Sequence, residues 1–123
     1  MEFNSQVCTT IEQSKRLLDL GLSGDTADML WMPQLSVRPV VGNPNEVCNI
    51  IVKDNAIPAW SLNRLIEIAG DDTGTIAIRY EGVTFNKDIY FYSHPTTYDN
   101  LIDCIEWLIK EDALKKQYLE KKL

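Results

Sequence analysis

Residues 58–70, Pro-Ala-Trp-Ser-Leu-Asn-Arg-Leu-Ile-Glu-Ile-Ala-Gly, carry a complete local specification for a short helix. Ser61 can cap this helix by accepting a backbone N–H from the first turn, and Trp60 can pack on Leu65 as a hydrophobic staple. Gly70 supplies the stop signal. Apolar residues fall on one face at helical spacing: Leu62, Leu65, Ile66 and Ala69. We therefore expect the helix to pack onto a core instead of standing free in solvent.

The first helix is predicted to begin at Thr9 or Thr10, because both threonines have the spacing of a capping box. It is expected to run to about Leu20, with Gly21 just beyond its end. Turn residues follow, and residues 27–31 then alternate in the manner of a short strand. The N-terminal third thus predicts a helix, a turn and a strand.

The last helix has the most regular apolar pattern in the chain. Thr96 or Thr97 is predicted to cap it, and its apolar residues keep helical spacing for three turns: Tyr98, Leu101, Ile102, Ile105, Leu108 and Ile109. The pattern weakens beyond Asp112, so the helix either continues as an exposed arm or breaks near Glu111. We interpret residues 113–123 as a basic, helical C-terminal tail.

An antiparallel sheet is predicted after the middle helix. Residues 75–81 alternate in the manner of a strand, and residues 88–93 hold a run of apolar and aromatic residues that favours a second strand. The intervening residues 82–87 are too few for a crossover connection, so the two strands are expected to pair directly as a hairpin. Residues 33–57 are rich in proline, and we interpret them as a variable excursion that holds a hairpin of its own.

These elements predict a single α+β domain over residues 1–123, with a mainly antiparallel sheet of three to five strands and about three helices packed on it. A chain of 123 residues with 45% apolar and 24% charged residues has the size and composition of one globular core. No apolar run approaches the roughly 20 residues of a membrane helix, and the N-terminus lacks a signal-peptide pattern. We expect a cytoplasmic protein without a membrane partner.

Cysteine usage and net charge argue against several kinds of site. Cys8, Cys48 and Cys104 are scattered, and the chain has one histidine, so no metal site is expected and the thiols are interpreted as free. No phosphate-binding glycine loop is present, and no cofactor is expected. The net charge of −6 opposes binding to nucleic acid. The lysines of the C-terminal tail nevertheless leave open the hypothesis of a protein that assists at nucleic acid through this tail.

His94 is the candidate catalytic residue, and it would act with a nearby carboxylate or thiol. It stands before a proline at a predicted strand end, where we favour an ordinary loop histidine. Three carboxylate pairs, Asp25 with Asp28, Asp71 with Asp72 and Glu111 with Asp112, could hold a magnesium ion or act as acid and base. Each pair also suits a turn or a helix end and lacks a third ligand, so we favour structural roles.

Aromatic residues of the predicted sheet favour a binding surface. One face of the sheet is expected to be the floor of the core, and the other a protein-binding or dimer surface that includes Tyr90 and Tyr92. Trp60 is a third candidate, placed either in the core or at an interface. The preferred hypothesis is a non-enzymatic binding or accessory protein that acts by protein–protein interaction, with a homodimer left open. The alternative is a small enzyme that uses His94.

Four stretches carry a resemblance to known proteins: Cys-Thr-Thr-Ile-Glu-Gln-Ser-Lys-Arg-Leu at 8–17, Asp-Thr-Ala-Asp-Met at 25–29 with Trp31, Pro-Ala-Trp-Ser-Leu at 58–62 with Leu65, and Tyr-Asp-Asn-Leu at 98–101. In these stretches the chain resembles a group of small uncharacterised proteins encoded by gut Bacteroides-type bacteria and by their phages and integrated elements. Residues 32–57 look particular to this member. The resemblance implies a phage or mobile-element setting and transfers no catalytic residue.

Overall fold

The computed structural model of the chain describes residues 6–32, 39–42, 56–70, 74–79 and 82–119. The helices in this part of the chain are α1 (Ile11–Asp19), α2 (Leu62–Gly70) and α3 (Thr97–Lys110). The strands are β1 (Met29–Trp31), β2 (Val40–Val41), β3 (Ile57–Ala59), β4 (Ile76–Arg79), β5 (Gly82–Phe85) and β6 (Ile89–Phe91). Short 3₁₀ turns span Gly24–Thr26 and Lys116–Tyr118.

The strands form two antiparallel sheets of three strands each, in the orders β2-β1-β3 and β4-β5-β6. In the first sheet Met29 lies opposite Val41 on one side and Ala59 on the other. In the second, Phe85 lies opposite Ile76 and Ile89. The predicted α+β class, with an antiparallel sheet and about three helices, is confirmed, and its strands are divided between two sheets.

The predicted hairpin of residues 75–81 with 88–93 is wrong in its pairing. Both strands exist, as β4 and β6, but residues 82–85 form the strand β5 that lies between them. Three of the four residues of β5 are buried, so the strand lacks the alternation that marks a strand with one exposed face. The chain can return so tightly because Asn86 and Lys87 both adopt positive φ in the turn before β6.

Local capping signals decide where α1 begins. The hydroxyl of Thr10 accepts a hydrogen bond from the backbone N–H of Gln13 at 3.1 Å, and the Gln13 side chain accepts one from the backbone N–H of Thr10 at 2.9 Å. This is the predicted capping box, with Thr10 as the cap, whereas Thr9 is buried. Gly21, at φ +105°, lets the chain turn away after the helix.

The helix α2 begins at Leu62, directly after the predicted cap, and residues 57–59 before it form the strand β3, which was not predicted. Pro58 is tolerated there since β3 is an edge strand of its sheet. The predicted cap is confirmed: Ser61 Oγ accepts a hydrogen bond from the backbone N–H of Arg64 at 3.2 Å. Trp60 and Leu65, the predicted staple pair, are both fully buried in the main core cluster.

The main core cluster draws side chains from the three helices, from β5 and from the segment after α3. Residues of this cluster with no exposed surface include Leu17, Trp60, Leu65, Ile68, Leu101, Ile102, Cys104, Ile105 and Leu108. At its edge Trp107 of α3 packs against Phe85 and Phe91, with ring centroids 5.8 and 6.2 Å apart. The helix α3 therefore covers the inner face of the second sheet.

The C-terminal segment corrects a further prediction. The helix α3 ends at Lys110, as the alternative break near Glu111 predicted, and Asp112 takes a positive φ. Residues 113–119 are not an α-helical arm, because Leu114 and Tyr118 are buried and the segment returns to the body of the protein. Leu119 bridges to Leu22. The predicted helical tail is thus wrong for this stretch.

Several predictions lie outside the described residues. They are the second arm of the hairpin in the 33–57 excursion, the pair Asp71 and Asp72, the thiol of Cys48 and residues 120–123 of the tail.

Candidate functional site

Trp60 is a core residue that ties three segments together. Its indole N–H donates to the hydroxyl of Thr26 at 3.0 Å, and its backbone N–H donates to the hydroxyl of Thr9 at 3.1 Å. The backbone N–H of Thr9 in turn donates to the carbonyl of Trp60 at 2.9 Å. Since the ring is fully buried, it has no exposed surface with which to contact a partner directly. The core interpretation of Trp60 is the one that this environment supports.

His94, the candidate catalytic residue, lies against a carboxylate. Its Nε2 is 3.0 Å from Oδ2 of Asp103, and both side chains are partly exposed. The buried Asn100 fixes the histidine backbone in two ways, because its carbonyl accepts from the N–H of His94 and its amide donates to the carbonyl of His94, each at 3.1 Å. The loop after β6 is therefore held against the first turn of α3.

The same carboxylate belongs to a chain of charges that joins α1 to α3. Arg16 Nη2 lies 2.7 Å from both Asp103 and Glu106, and Lys110 lies 2.8 Å from Glu106. Hydrogen bonds from Lys110 and Arg16 hold the pKa of Glu106 below its usual range. Hydrogen bonds to Asp103 and Glu106 raise the pKa of Arg16. Each carboxylate is thus shared between two basic groups.

A second polar contact joins the same two helices. Asp99 accepts hydrogen bonds from Thr96 Oγ1 at 2.6 Å and from the side-chain amide of Gln13 at 2.8 Å. Burial opposes ionisation of Asp99, but these hydrogen bonds and the charges of His94 and Arg16 outweigh it and lower its pKa. The surface between α1 and α3 is therefore a network of paired groups.

Nucleophilic chemistry at His94 needs a thiol or hydroxyl partner. Burial raises the pKa of Cys8 to about 11, with the charge of Asp28 adding to the shift, and burial alone raises the pKa of Cys104 to about 12. Both thiols are therefore protonated at neutral pH, which makes them poor nucleophiles. The pair of His94 with Asp103 has a clear structural use, since it anchors a loop to α3.

Asp25 and Asp28, the first predicted carboxylate pair, make different contacts. Asp28 accepts hydrogen bonds from both the backbone N–H, at 2.8 Å, and the hydroxyl of Ser61, so it supports the start of α2. Asp25 lies in the 3₁₀ turn, where its backbone N–H donates to the hydroxyl of Ser23 at 3.3 Å. Across the described ranges no group of His, Cys, Asp or Glu side chains is arranged to hold a metal ion.

Tyr90 and Tyr92, the candidate binding residues, are exposed on the second sheet, at 57% and 69% of their surface. They alternate with Ile89 and Phe91, which pack on the core, so the two tyrosines point to the outer face. Among the described strands β6 pairs with β5 alone and is an edge of its sheet. The sheet thus presents two aromatic rings beside a strand edge.

The other sheet edges carry features that discourage pairing with further strands. The strand β2 has two residues, β3 contains Pro58, and β4 ends at the exposed Arg79. Short length, proline and charge are the usual protections of an edge strand. In contrast, residues 89–92 read Ile-Tyr-Phe-Tyr, with no charge and no proline. Among the described edges longer than two residues, β6 is the one with neither proline nor a charged side chain within the strand.

Two clefts are lined by described residues, and the sequence pointed to neither. One, of about 530 Å³, lies between the first 3₁₀ turn, the first turn of α2 and residues 117–119. The other, of about 610 Å³, lies between α2 and β4. Tyr118 lines both clefts, while His94, Tyr90 and Tyr92 line neither. A cleft whose walls come from three distant segments leaves no spacing pattern in the sequence.

Comparison with protein-family models, with curated proteins and with solved structures finds no match. The resemblance to small proteins of Bacteroides-type bacteria and their phages therefore stays a prediction. In the portion of the chain that the structure describes, every helix is too short or too polar to cross a membrane.

Proposed function

We propose that this protein is a non-enzymatic binding protein that captures an extended segment of a partner protein along the edge strand β6. The observation that carries the proposal is the exposure of Tyr90 and Tyr92 beside a strand edge that has no charge or proline to protect it. An added strand would gain backbone hydrogen bonds from β6 and contacts with the two rings.

The chemistry of the partner segment follows from the geometry and the net charge. An added strand presents alternate side chains to one face, so apolar residues at every second position would pack on Tyr90 and Tyr92. The net charge of −6 favours a segment with basic residues at its remaining positions. The same charge opposes pairing of β6 with a second copy of the chain. The proposed occupant is therefore an extended, basic and alternately apolar segment of another protein.

The proposal also covers the cellular location of the protein and its genetic origin. We place the protein in the cytoplasm, because Cys8 and Cys104 are free thiols in the core and a reducing compartment keeps thiols free. A phage or mobile-element origin is part of the same proposal, and it rests on the sequence resemblance alone.

The experiment is a selection from a displayed library of random peptides against the intact protein. We expect the enriched peptides to alternate apolar residues and to carry net positive charge, and we expect their binding to slow amide exchange of residues 89–92. The variant with Tyr90→Ser and Tyr92→Ser should bind a selected peptide about tenfold or more weakly, since buried aromatic anchors dominate such interfaces. Both tyrosines are exposed, so their loss should leave the melting temperature nearly unchanged.

Val41→Ser is the matched control, because Val41 is 85% exposed on β2 and removing it also deletes apolar surface. It should leave peptide binding unchanged. The proposal is wrong if no peptides of this kind are enriched, or if the double tyrosine variant binds them as well as the parent. A light-scattering mass of two chains that returns to one chain in the tyrosine variant would instead make β6 a homodimer edge.

A further inference from the structure

We infer that the outer face of the second sheet selects a glutamate side chain at one position of the segment that pairs with β6. The inference rests on the proposed function, and it adds a specificity that the strand edge alone does not have. It comes from two donors on that face for which the described part of the chain supplies no acceptor. They are the buried hydroxyl of Thr84 and the exposed guanidinium of Arg79.

Thr84 lies on the outer face, within the central strand β5. Its neighbours along the chain, Val83 and Phe85, belong to the main core cluster, so the side chain of Thr84 points the other way. It is 1% exposed, and its Oγ1 makes no hydrogen bond to any described residue. Buried polar atoms are nearly always paired in folded proteins, because an unpaired one loses its bonds to water without replacement. The hydroxyl therefore suits a group that arrives with a partner.

Thr84 stands one strand in from the proposed binding edge. It is directly opposite Tyr90 of β6 on one side and Ala77 of β4 on the other. Neighbouring strands are about 4.8 Å apart, so a residue that an added strand places beside Tyr90 lies about 10 Å from Thr84. A glutamate there can reach the hydroxyl with its methylene groups packed along the Tyr90 ring, whereas aspartate is one methylene too short. Because that ring is largely exposed, it can turn to admit the side chain.

Arg79 gives this position its charge preference. It lies on the same face, two residues after Ala77, and is therefore the diagonal neighbour of Thr84. Its side chain is exposed, and it forms no ion pair with a described residue. Gly82, directly opposite Arg79, lets Tyr92 approach, because a Cβ there would lie 2.9 Å from Cβ of Tyr92. A carboxylate placed between Thr84 and Arg79 would accept from both donors.

The charge of Arg79 also decides against other long side chains at this position. A lysine or arginine whose end lay beside Thr84 would meet a like charge, and a neutral glutamine would leave Arg79 unpaired. The other charged residues described in this hairpin, Lys87 and Asp88, lie in the turn at its opposite end. The net charge of −6 acts on the whole segment and still favours basic residues elsewhere in it.

Peptides selected in the display experiment test this inference. We expect them to share a glutamate at one outer-face position, and its replacement by glutamine or aspartate should weaken binding about tenfold or more. Arg79→Gln should cause a similar loss. Arg79→Glu should reverse the preference, so that a peptide with lysine in place of the glutamate binds more tightly than the original. Lys87→Gln is the matched control, because it removes an exposed positive charge from the far end of the same hairpin and should leave binding within about twofold of the parent.

Thr84→Val separates binding from stability. Valine has nearly the same shape and no hydroxyl, so the melting temperature should stay the same or rise while peptide binding weakens about tenfold. Thr84→Ser keeps the hydroxyl and should bind as the parent does.

Two outcomes overturn this inference and leave the role of β6 intact. In the first, the selected peptides need Tyr90 and Tyr92 but share no acidic residue. In the second, they bind the Thr84→Val and Arg79→Gln variants as tightly as the parent. If no peptide is enriched at all, the proposed role of β6 and this inference both fail.

Discussion

At the scale of single residues, the best-supported assignment concerns Trp60. The residue was a candidate both for the core and for a binding surface, and its environment favours the core. Its backbone forms hydrogen bonds with Thr9, and its indole N–H donates to the hydroxyl of Thr26. These bonds hold the segments of Thr9, Thr26 and Trp60 together. Trp60 therefore stabilises the fold in two ways. Its ring fills a large buried volume, and its hydrogen bonds would be left unmade by most other side chains.

We predict that Trp60→Ala lowers the free energy of unfolding by about 3 kcal/mol or more, because it leaves a large cavity. Trp60→Phe should cost about 1–2 kcal/mol, since it keeps most of the apolar volume but removes the donor to Thr26. Urea unfolding measures both values. Tyr92→Ala, at an exposed ring, should change stability by less than about 0.5 kcal/mol. A Trp60→Ala variant of unchanged stability would contradict the core assignment.

The sequence predicted residues whose roles are local and missed those whose roles depend on distant partners. Thr10 and Ser61 were identified as caps because a cap needs only the few residues that follow it. The partners of His94 and Arg16 could not be found in the same way. Arg16 forms a hydrogen bond with Asp103, which lies 87 positions further along the chain, and no local sequence pattern predicts such a contact.

At the scale of elements, the packing of α1 against α3 combines a buried apolar seam with an outer network of charges. Glu106 is central to that network because Arg16 and Lys110 both bind it. Its pKa is lowered in the folded protein by Lys110 first and Arg16 second. A carboxylate with a lowered folded pKa stabilises the fold at neutral pH, and this contribution is lost as the pH falls through its folded pKa.

We therefore predict that stability falls as the pH is lowered from neutral into the acid range, because the pKa of Glu106 and that of Asp99 are both lowered in the folded state and the unfolded chain takes up these protons first. Glu106→Gln should flatten this dependence and cost about 0.5–1 kcal/mol at pH 7, since the network is partly exposed. Chemical unfolding at a series of pH values measures the slope. About 1 M salt should reduce the difference between parent and variant, because it screens the charges. A variant with the slope of the parent would contradict the role assigned to Glu106.

Elements with a single buried face were predictable, and elements without one were not. The apolar stripe of α3 predicted the helix to within a residue of its observed start. The strand β5 was predicted as a loop, because burial on both faces removes its alternation and a strand of four residues has no length to compensate. The edge strand β3 was not predicted, since its three residues include Pro58 and are too few to show a strand pattern.

At the scale of the whole molecule, the chain closes on itself through the segment that follows α3. Residues 113–119 were predicted as a basic tail because their lysines suggested a solvated helix end. The buried Leu114 and Tyr118 among those lysines explain why the segment folds back. Its return places Tyr118 between α2 and the first 3₁₀ turn, where it completes both clefts. The last described segment therefore contributes both to the core and to a wall of each cleft.

We predict that Tyr118→Ala lowers the free energy of unfolding by about 3 kcal/mol, because it removes a buried ring from the main core cluster. Lys116→Ala, in the same 3₁₀ turn but exposed, should change stability by less than about 0.5 kcal/mol. Urea unfolding gives the energies, and hydrogen exchange locates the effect. The amide of Ser23 should lose protection in the Tyr118 variant, because its acceptor is the carbonyl of that residue. If the Tyr118 and Lys116 variants were equally stable, the segment would be a detached tail, and the cleft between the first 3₁₀ turn and α2 would lose one wall.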